Sequence, residues 1–364
     1  MGWKGALKMK TRSMSFWKHI VVLVLISIVS VGILLGCGGE DSAQQSVSTT
    51  TAKADNPMTM LPQGALMVAG MNVDIYRTPE TMKEYEDALK INPQMKQQLD
   101  EIKNLTGLDV LKDLDKIGIA VYLKDPAGEE VPSVAAAASG NFDETKIVAA
   151  INSKSPTKLQ EGNYSGVKYY FGDMEGTTVY MVFPKSKIIM ASNDKAIFDQ
   201  MIDRSKSSLP SVMNDPQLKE AMAEVKSNSP FWLSGMVPPT ALASMQNDPQ
   251  TAFLAGVKSY YFYVNETAAK GSHIEIGTIC SDAAAAESVK TGVQNLLNQI
   301  RPMAMMFTGD TFNVIFDKAS VTSSGKIAKI VIELTKTEIE ELQKKMEAFA
   351  QQNAQIMQQM QPPQ

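Results

Sequence analysis

Alternating apolar segments joined by very short polar turns limit the fold of this chain more than any other feature. Residues 166–171 turn at 172–176 into residues 177–183, and residues 257–264 are followed closely by residues 273–280. Strands joined by so few residues pair antiparallel, because a parallel pair needs a crossover of about a dozen residues or more. The pattern predicts an α+β fold of antiparallel meandering sheets with helices packed on a face.

A unit of strand, polar cap and helix recurs between these hairpins. Each time a strand ends in Asn, Ser or Asp residues, and a helical pattern follows directly, at residues 138–151, 187–202 and 279–300. Such side chains accept hydrogen bonds from the first backbone N–H groups of a helix, which otherwise lack partners. The recurrence suggests two similar α+β modules; independent use of the same capping chemistry is the alternative.

Other local signals predict further elements. Thr78-Pro79 suits the start of a helix, with Thr as the cap and Pro at the first helical position, and Asn92-Pro93 breaks the helical zone that follows. By the same reasoning, an Asp followed by Pro predicts two later helix starts. The remaining predictions are strands at 65–75, 117–123, 311–316 and 326–334, and helix starts at 214–217 and 247–250.

The first 37 residues have the order of an export signal. An acid-free basic stretch precedes the aliphatic run Ile20–Leu35, and Gly36 then leads to Cys37. The segment Leu34-Leu35-Gly36-Cys37 resembles the lipobox of bacterial lipoproteins. That resemblance implies cleavage between Gly36 and Cys37, acylation of the Cys37 thiol, and a lipid anchor in the cell envelope. Gly38 after the cysteine resembles lipoproteins that are passed on to an outer membrane, where one exists.

Two alternatives concern this segment. An uncleaved transmembrane anchor is one, although the apolar run falls short of the ~20 residues that a spanning helix needs. A start at Met14 is the other, since it would give a more compact signal.

The predicted organisation has five parts. Polar residues with almost no large aliphatic side chains predict a disordered tether after the cysteine.

Leu61-Pro62 and the strand that follows resemble uncharacterised exported bacterial families, whose bodies carry no motif of known chemistry. The parts are 1–36 signal peptide, 37–60 acylated cysteine and tether, 61–229 first α+β module, 230–335 second α+β module, and 336–364 C-terminal amphipathic helix and tail.

Charge excludes one class of partner. Residues 1–36 contain five basic and no acidic residues, so the mature chain has 30 Lys and Arg against 39 Asp and Glu, a formal charge of −9. Phosphate backbones require clustered Lys and Arg. We therefore expect no nucleic acid among the partners.

Few residues suit catalysis. The mature chain has one histidine, His273, and one cysteine besides Cys37, Cys280. Seven residues along one strand separate the two by about 23 Å, so they cannot act as a pair within that strand. The sequence favours a packing role for Cys280 and a polar, non-ligating role for His273, with no cofactor.

A second catalytic pattern has weak support. Ser192-x-x-Lys195 and the later Lys290-Thr291-Gly292 resemble the signature of penicillin-binding proteins and β-lactamases. In that family Lys-Thr-Gly lies on a strand beside the active site, whereas here it falls within the helical pattern after Asp282. Ser-x-x-Lys also recurs three more times, at residues 155, 165 and 323.

Methionine is unusually frequent, at 23 residues. Thioether sulfur is a soft ligand suited to Cu(I), but Met also fills irregular cores and adaptable apolar surfaces. The sequence favours packing over copper. The local clusters are Met58 and Met60, then Met303, Met305 and Met306, then Met357 and Met360.

The C-terminal segment predicts a helix from about Lys336 to Gln359. Its apolar residues recur at alternating intervals of three and four, which suits one amphipathic helix covering its own domain or a short coiled-coil seam. On the second interpretation Asn353 would fix the register of weak self-association or of protein-partner binding. The stripe comprises Ile339, Leu342, Met346, Phe349, Asn353, Ile356 and Met360.

The leading functional hypothesis is a lipid-anchored envelope protein with a non-catalytic binding or scaffolding role. A carrier of an apolar ligand is the alternative, because Met-rich helices over sheets often enclose apolar pockets. A hydrolase of the Ser/Lys type is the third hypothesis.

Overall fold

The computed structural model describes residues 56–91, 93–124, 132–155, 157–174, 176–185, 187–266 and 271–359. The described chain divides into two compact units, with the boundary between Pro216 and Gln217. Cys37, Gly36 and residues 38–55 of the predicted tether lie outside the described residues.

The first unit contains an antiparallel sheet of seven described strands in the order β1-β2-β3-β7-β6-β5-β4. Only two residues separate each consecutive pair of strands from β4 to β7, and the predicted antiparallel arrangement is confirmed. The strands are β1 Met67–Asn72, β2 Leu114–Tyr122, β3 Ser133–Gly140, β4 Gln160–Tyr164, β5 Val167–Met174, β6 Thr177–Lys185 and β7 Ile188–Ser192.

Two of the described helices of this unit begin at an aspartate that caps them. Asp143 accepts a hydrogen bond from the N–H of Lys146, and Asp194 accepts two, from Ala196 and Ile197. Both predicted cap-to-helix steps are therefore confirmed, while Asn92 of the predicted break lies outside the described residues. The helices are α1 Pro79–Ile91, α2 Pro93–Thr106, α3 Val110–Asp113, α4 Glu144–Lys154 and α5 Lys195–Lys206.

The ordered body begins earlier than the sequence suggests. Residues Pro57–Met60 form a 3-10 turn, capped by the side chain of Asn56, in which Met58 and Met60 are buried. A Cβ at Gly118 of β2 would lie only 2.5 Å from the Met58 sulfur, so glycine makes room for this side chain. The expectation that the tether extends to residue 60 is wrong for these residues, because methionine here fills core space.

The second unit contains an antiparallel sheet of five described strands in the order β11-β12-β10-β9-β8. Helix α6 belongs to this unit, since it packs on β8, β9 and β10. The strands are β8 Phe231–Met236, β9 Val257–Glu266, β10 Ser272–Cys280, β11 Ser320–Ser324 and β12 Ile327–Leu334; the helices are α6 Lys219–Glu224, α7 Pro239–Asn247, α8 Ala283–Thr308, α9 Asn313–Lys318 and α10 Lys336–Gln359.

Three local predictions in this region are wrong. The predicted strand at 311–316 is largely helix α9. Phe312, Val314 and Phe316 alternate as in a strand, whereas positions 312, 315 and 316 also have helical spacing. Neither Asp-Pro segment begins a helix directly. Asp215 instead accepts a hydrogen bond from the N–H of Gly64, and Asp248 accepts one from Gln250 within a turn.

The C-terminal helix begins at Lys336, as its periodicity predicts, and continues to Gln359, the last residue that the structure describes. Thr335 and Glu338 form reciprocal caps at its start, each side chain accepting a hydrogen bond from the other residue's backbone N–H. Ile339 is buried against Ile332 and Leu334 of β12, so the first turns of α10 cover their own unit. Asn353, Ile356 and Met360 lie beyond the last side chain that the structure describes, and the predicted seam stays a prediction.

Candidate functional site

A buried carboxylate lies at the centre of a polar cluster on the sheet of the second unit. The side chain of Glu275 in β10 is only 5% exposed. Its Oε1 accepts a 2.8 Å hydrogen bond from the Tyr261 hydroxyl, and its Oε2 accepts one of 3.0 Å from Tyr263. The ammonium of Lys329 in β12 completes the set, at 3.2 and 3.3 Å from the two oxygens.

Strand register creates this cluster. Glu275 pairs with Tyr263 on β9, while Gly277 pairs with both Tyr261 on β9 and Lys329 on β12. Side chains at alternate positions share a face of a sheet, so these residues point to the same side. Because Gly277 lacks a side chain, the Tyr261 ring crosses above it and reaches Glu275.

His273 links the cluster to the exposed edge of the same face. One ring nitrogen, Nε2, lies 3.3 Å from Oε2 of Glu275, and Nδ1 lies 3.1 Å from Oε1 of Glu333. The ring also stacks on Tyr263, with centroids 5.6 Å apart. The side chain of Glu333 is 68% exposed, so the polar chain runs from a buried carboxylate to solvent.

Hydrogen bonding determines the charge state at the centre. Burial alone would raise the pKa of Glu275, but donation from Tyr261, Tyr263 and Lys329 holds that pKa below its ordinary value. Burial, together with donation to this carboxylate, raises the pKa of both tyrosines. Both oxygens of Glu275 already accept hydrogen bonds, so the arrangement suits a charged clamp across three strands better than a proton acceptor for a substrate.

The other candidate catalytic residues are each engaged in structural contacts. Ser192 is buried, and its hydroxyl donates to the carbonyl of Val134 and accepts from the N–H of Asp194. Lys195 pairs with Asp199 and faces aromatic rings. The Lys290–Gly292 segment lies within helix α8, as predicted.

Cys280 has the packing role that its position predicts. The side chain is buried in a cluster with Val257, Ala286, Val289 and Ala328. Burial raises the pKa of its thiol, which opposes formation of the reactive thiolate.

Helix α8 carries the most distinctive exposed surface in the described part of the second unit. Its first half is docked on the sheet through Ala286 and Val289, and the ring of Phe253 fits against Gly292. Beyond Val293 large apolar side chains face solvent. We call Leu296, Ile300, Met303 and Met306 the α8 apolar face, with exposed fractions of 42%, 41%, 57% and 78% in that order; Met305, 44% exposed, lies on the other side of the helix.

The methionines therefore divide into two groups. Met58, Met60, Met190 and Met201 are buried, in agreement with the predicted packing role. The cluster at 303, 305 and 306 instead contributes to an exposed surface.

Two surface depressions lie in the first unit. One, of about 540 Å³, is lined largely by charged and amide side chains of α2 and by Lys154. The other, of about 290 Å³, lies next to Gly107, Asp113 and Asp143. Such polar linings do not favour an apolar ligand.

Within the described ranges, no three His, Cys, Asp or Glu side chains are grouped closely enough to hold a metal ion. None of the described helices combines the length and the apolar character that a membrane crossing requires.

Comparison with known proteins gives only distant structural likeness. No protein-family model matches the chain, and no curated protein matches it. Crystal form III of TP0453 aligns with a TM-score of 0.44 at 12% identity, over 79% of this chain and 96% of that chain. Crystal form IV gives 0.42 at 12% identity, over 79% and 95%. At these values the likeness carries no argument about function.

Proposed function

We propose that this protein is a lipid-anchored protein of the cell envelope that binds a partner through its body and catalyses no reaction. The α8 apolar face carries the proposal. Leu296, Ile300 and Met303 lie at intervals of four and three, so they form one stripe along the helix. Exposing a contiguous stripe of large apolar side chains costs solubility and is typical of interaction sites.

The polar cluster supports a non-catalytic role. Glu275 is held by donors from β9 and β12, and this clamp stiffens the sheet on which α8 is docked. A rigid support suits a binding surface, because little conformational freedom is lost on association.

The anchor is tested by Cys37→Ala in the producing bacterium. We expect the substituted chain to stay unprocessed and to lose its acyl groups, which intact mass and metabolic labelling with palmitate would show. Equal processed mass and equal detergent partition for the two proteins would contradict the lipid anchor.

The binding surface is tested by photo-crosslinking in cells. A photoreactive amino acid replaces Ile300 in the α8 apolar face or, as the matched control, Leu209, which is 45% exposed in the first unit. We expect a discrete crosslinked product from position 300 alone. Identical products from both positions, or none from position 300, would exclude a binding role for this face.

A further inference from the structure

The α8 apolar face continues a stripe that is buried in the first half of the same helix. Val289, Val293, Leu296, Ile300 and Met303 follow one another at intervals of four, three, four and three. Val289 is 3% exposed, whereas Leu296 is 42% exposed. The stripe thus has the spacing of a helix–helix seam, of which the chain's own sheet covers only the beginning.

The flanks of the exposed part are almost free of charge. Arg301 is the single charged residue between Lys290 and Asp310, and it pairs with Asp317. Helices that lie in a lipid interface usually carry many Lys and Arg on their polar side. Protein interfaces, in contrast, are depleted of charge at the centre and enriched in methionine. The amides Asn295 and Gln299 flank the stripe on one side, whereas Gln294 and Asn298 lie on the back of the helix.

We infer that the exposed half of α8 binds the same half of α8 in a second copy of this chain, an inference that rests on the proposed binding role of this face. A two-fold axis places each stripe against itself, so an apolar stripe with neutral flanks is its own complement. No charged group on these flanks opposes its symmetry mate. Asn and Gln at the rim donate and accept equally, which suits a pairing of identical surfaces.

The expected association is weak in solution. Leu296 to Met306 spans about 16 Å of helix, and an interface of this length falls below the roughly 1,200 Å² of standard complexes. A lipid anchor would compensate, because tethering two copies to one membrane raises their effective concentration towards the millimolar range. The pairing would therefore form on the membrane more readily than in dilute solution.

The experiment uses the mature chain from residue 37 with Cys37→Ser, so that no lipid is attached and both units are intact. Sedimentation velocity from about 5 to about 500 µM should show a reversible monomer–dimer equilibrium. Leu296→Gln combined with Ile300→Gln should weaken dimerisation about tenfold or more, because both residues lie at the centre of the seam. The matched control, Leu209→Gln, should leave the equilibrium unchanged.

Disulfide trapping tests the geometry in the same background. Ile300→Cys should give a covalent dimer under mild oxidation, since residues near a two-fold axis approach each other, whereas Leu209→Cys should not. A monomer at every concentration, or equal trapping at both positions, overturns the inference.

Flotation with phosphatidylglycerol–phosphatidylethanolamine vesicles separates the other outcomes. A monomer that floats with vesicles, and no longer does so after the double substitution, would assign the face to lipid and leave a binding role standing. No dimer, no flotation and no crosslink from position 300 would remove the proposed function as well.

Discussion

The ring of Tyr261 lies directly over the backbone of Gly277, so that a Cβ at position 277 would fall 2.1 Å from the ring carbon Cζ. The same arrangement joins Gly162 with Tyr169 and Gly235 with Tyr260. In each case a tyrosine uses the space that a cross-strand glycine leaves open. At Gly277 this geometry also brings the Tyr261 hydroxyl to the buried carboxylate of Glu275.

Gly277→Ala should therefore lower the free energy of unfolding by roughly 2–3 kcal/mol, the cost of overpacking a well-filled site. Chemical denaturation measures this loss. In the Tyr261→Ala background, where the ring is absent, the same substitution should cost much less. Additive effects of the two substitutions would show that the ring and the glycine are not coupled.

Glu275→Gln should destabilise the protein at neutral pH by about 2–3 kcal/mol, since it leaves Lys329 and two hydroxyl groups without their charged acceptor. The folded-state pKa of Glu275 is lowered, so its contribution is present above the ordinary carboxyl pKa and is lost as pH falls through the folded value. The difference in free energy of unfolding between wild type and variant should therefore become smaller under acidic conditions.

Urea titrations at pH 7 and at about pH 3 measure the difference in free energy of unfolding between wild type and Glu275→Gln. The exposed residue Glu220 provides the control, because Glu220→Gln removes one carboxylate from the same unit without touching the cluster. A free-energy difference that does not change with pH would contradict a stabilising role for the charged form of Glu275.

Lys195→Met should lower the free energy of unfolding by about 1 kcal/mol, which chemical denaturation measures. The Lys195 ammonium lies 5.0 Å from the ring centroid of Tyr164 and 5.1 Å from that of Tyr169, so the aromatic faces stabilise its charge. Methionine keeps the apolar stem and removes the charge, which ends both the aromatic contacts and the ion pair with Asp199. Lys195→Arg should retain most of the stability, because guanidinium also stacks on aromatic rings. Equal losses for both substitutions would exclude a cation–π contribution.

Glu338→Gln should lower the free energy of local opening of the first turn of α10 by about 1 kcal/mol. Hydrogen bonding to Lys318 and to the backbone and side chain of Thr335 lowers the pKa of Glu338 to about 2. Its contribution is thus complete above the ordinary carboxyl pKa and disappears as pH falls through about 2. Amide hydrogen exchange in α10 at neutral pH measures the loosening, and Glu341→Gln, in the same helix, should leave the exchange unchanged.

Local features of the fold could be predicted from the sequence. Asp143, Asp194 and Asp282 cap helices because their partners are backbone groups two or three residues away. The antiparallel pairing of strands joined by short turns could be predicted as well, because the paired residues are close in sequence. The prediction of a strand at 311–316 is wrong because this short segment fits both patterns. Its apolar residues at 312, 314 and 316 alternate as in a strand, and those at 312, 315 and 316 have helical spacing.

The polar cluster could not be predicted, because it depends on register between strands that are distant in sequence. His273 and Glu275 are two residues apart, but Glu333 and Lys329 reach them only through the pairing of β10 with β12. A His-x-Glu alternation opposite Tyr-x-Tyr was the available signal. The exposed apolar residues in the second half of α8 could not be predicted either. The apolar spacing of a helix does not show how far the sheet beneath it extends.

Met58 gives the N-terminal side of the body a mechanical property. Its side chain is buried against Gly118 in β2, and Met60 and Leu61 follow within three residues, both buried. Under the proposed lipid anchor, a pulling force along the chain would act first on these buried side chains, so that the packing around Gly118 in β2 would carry the load.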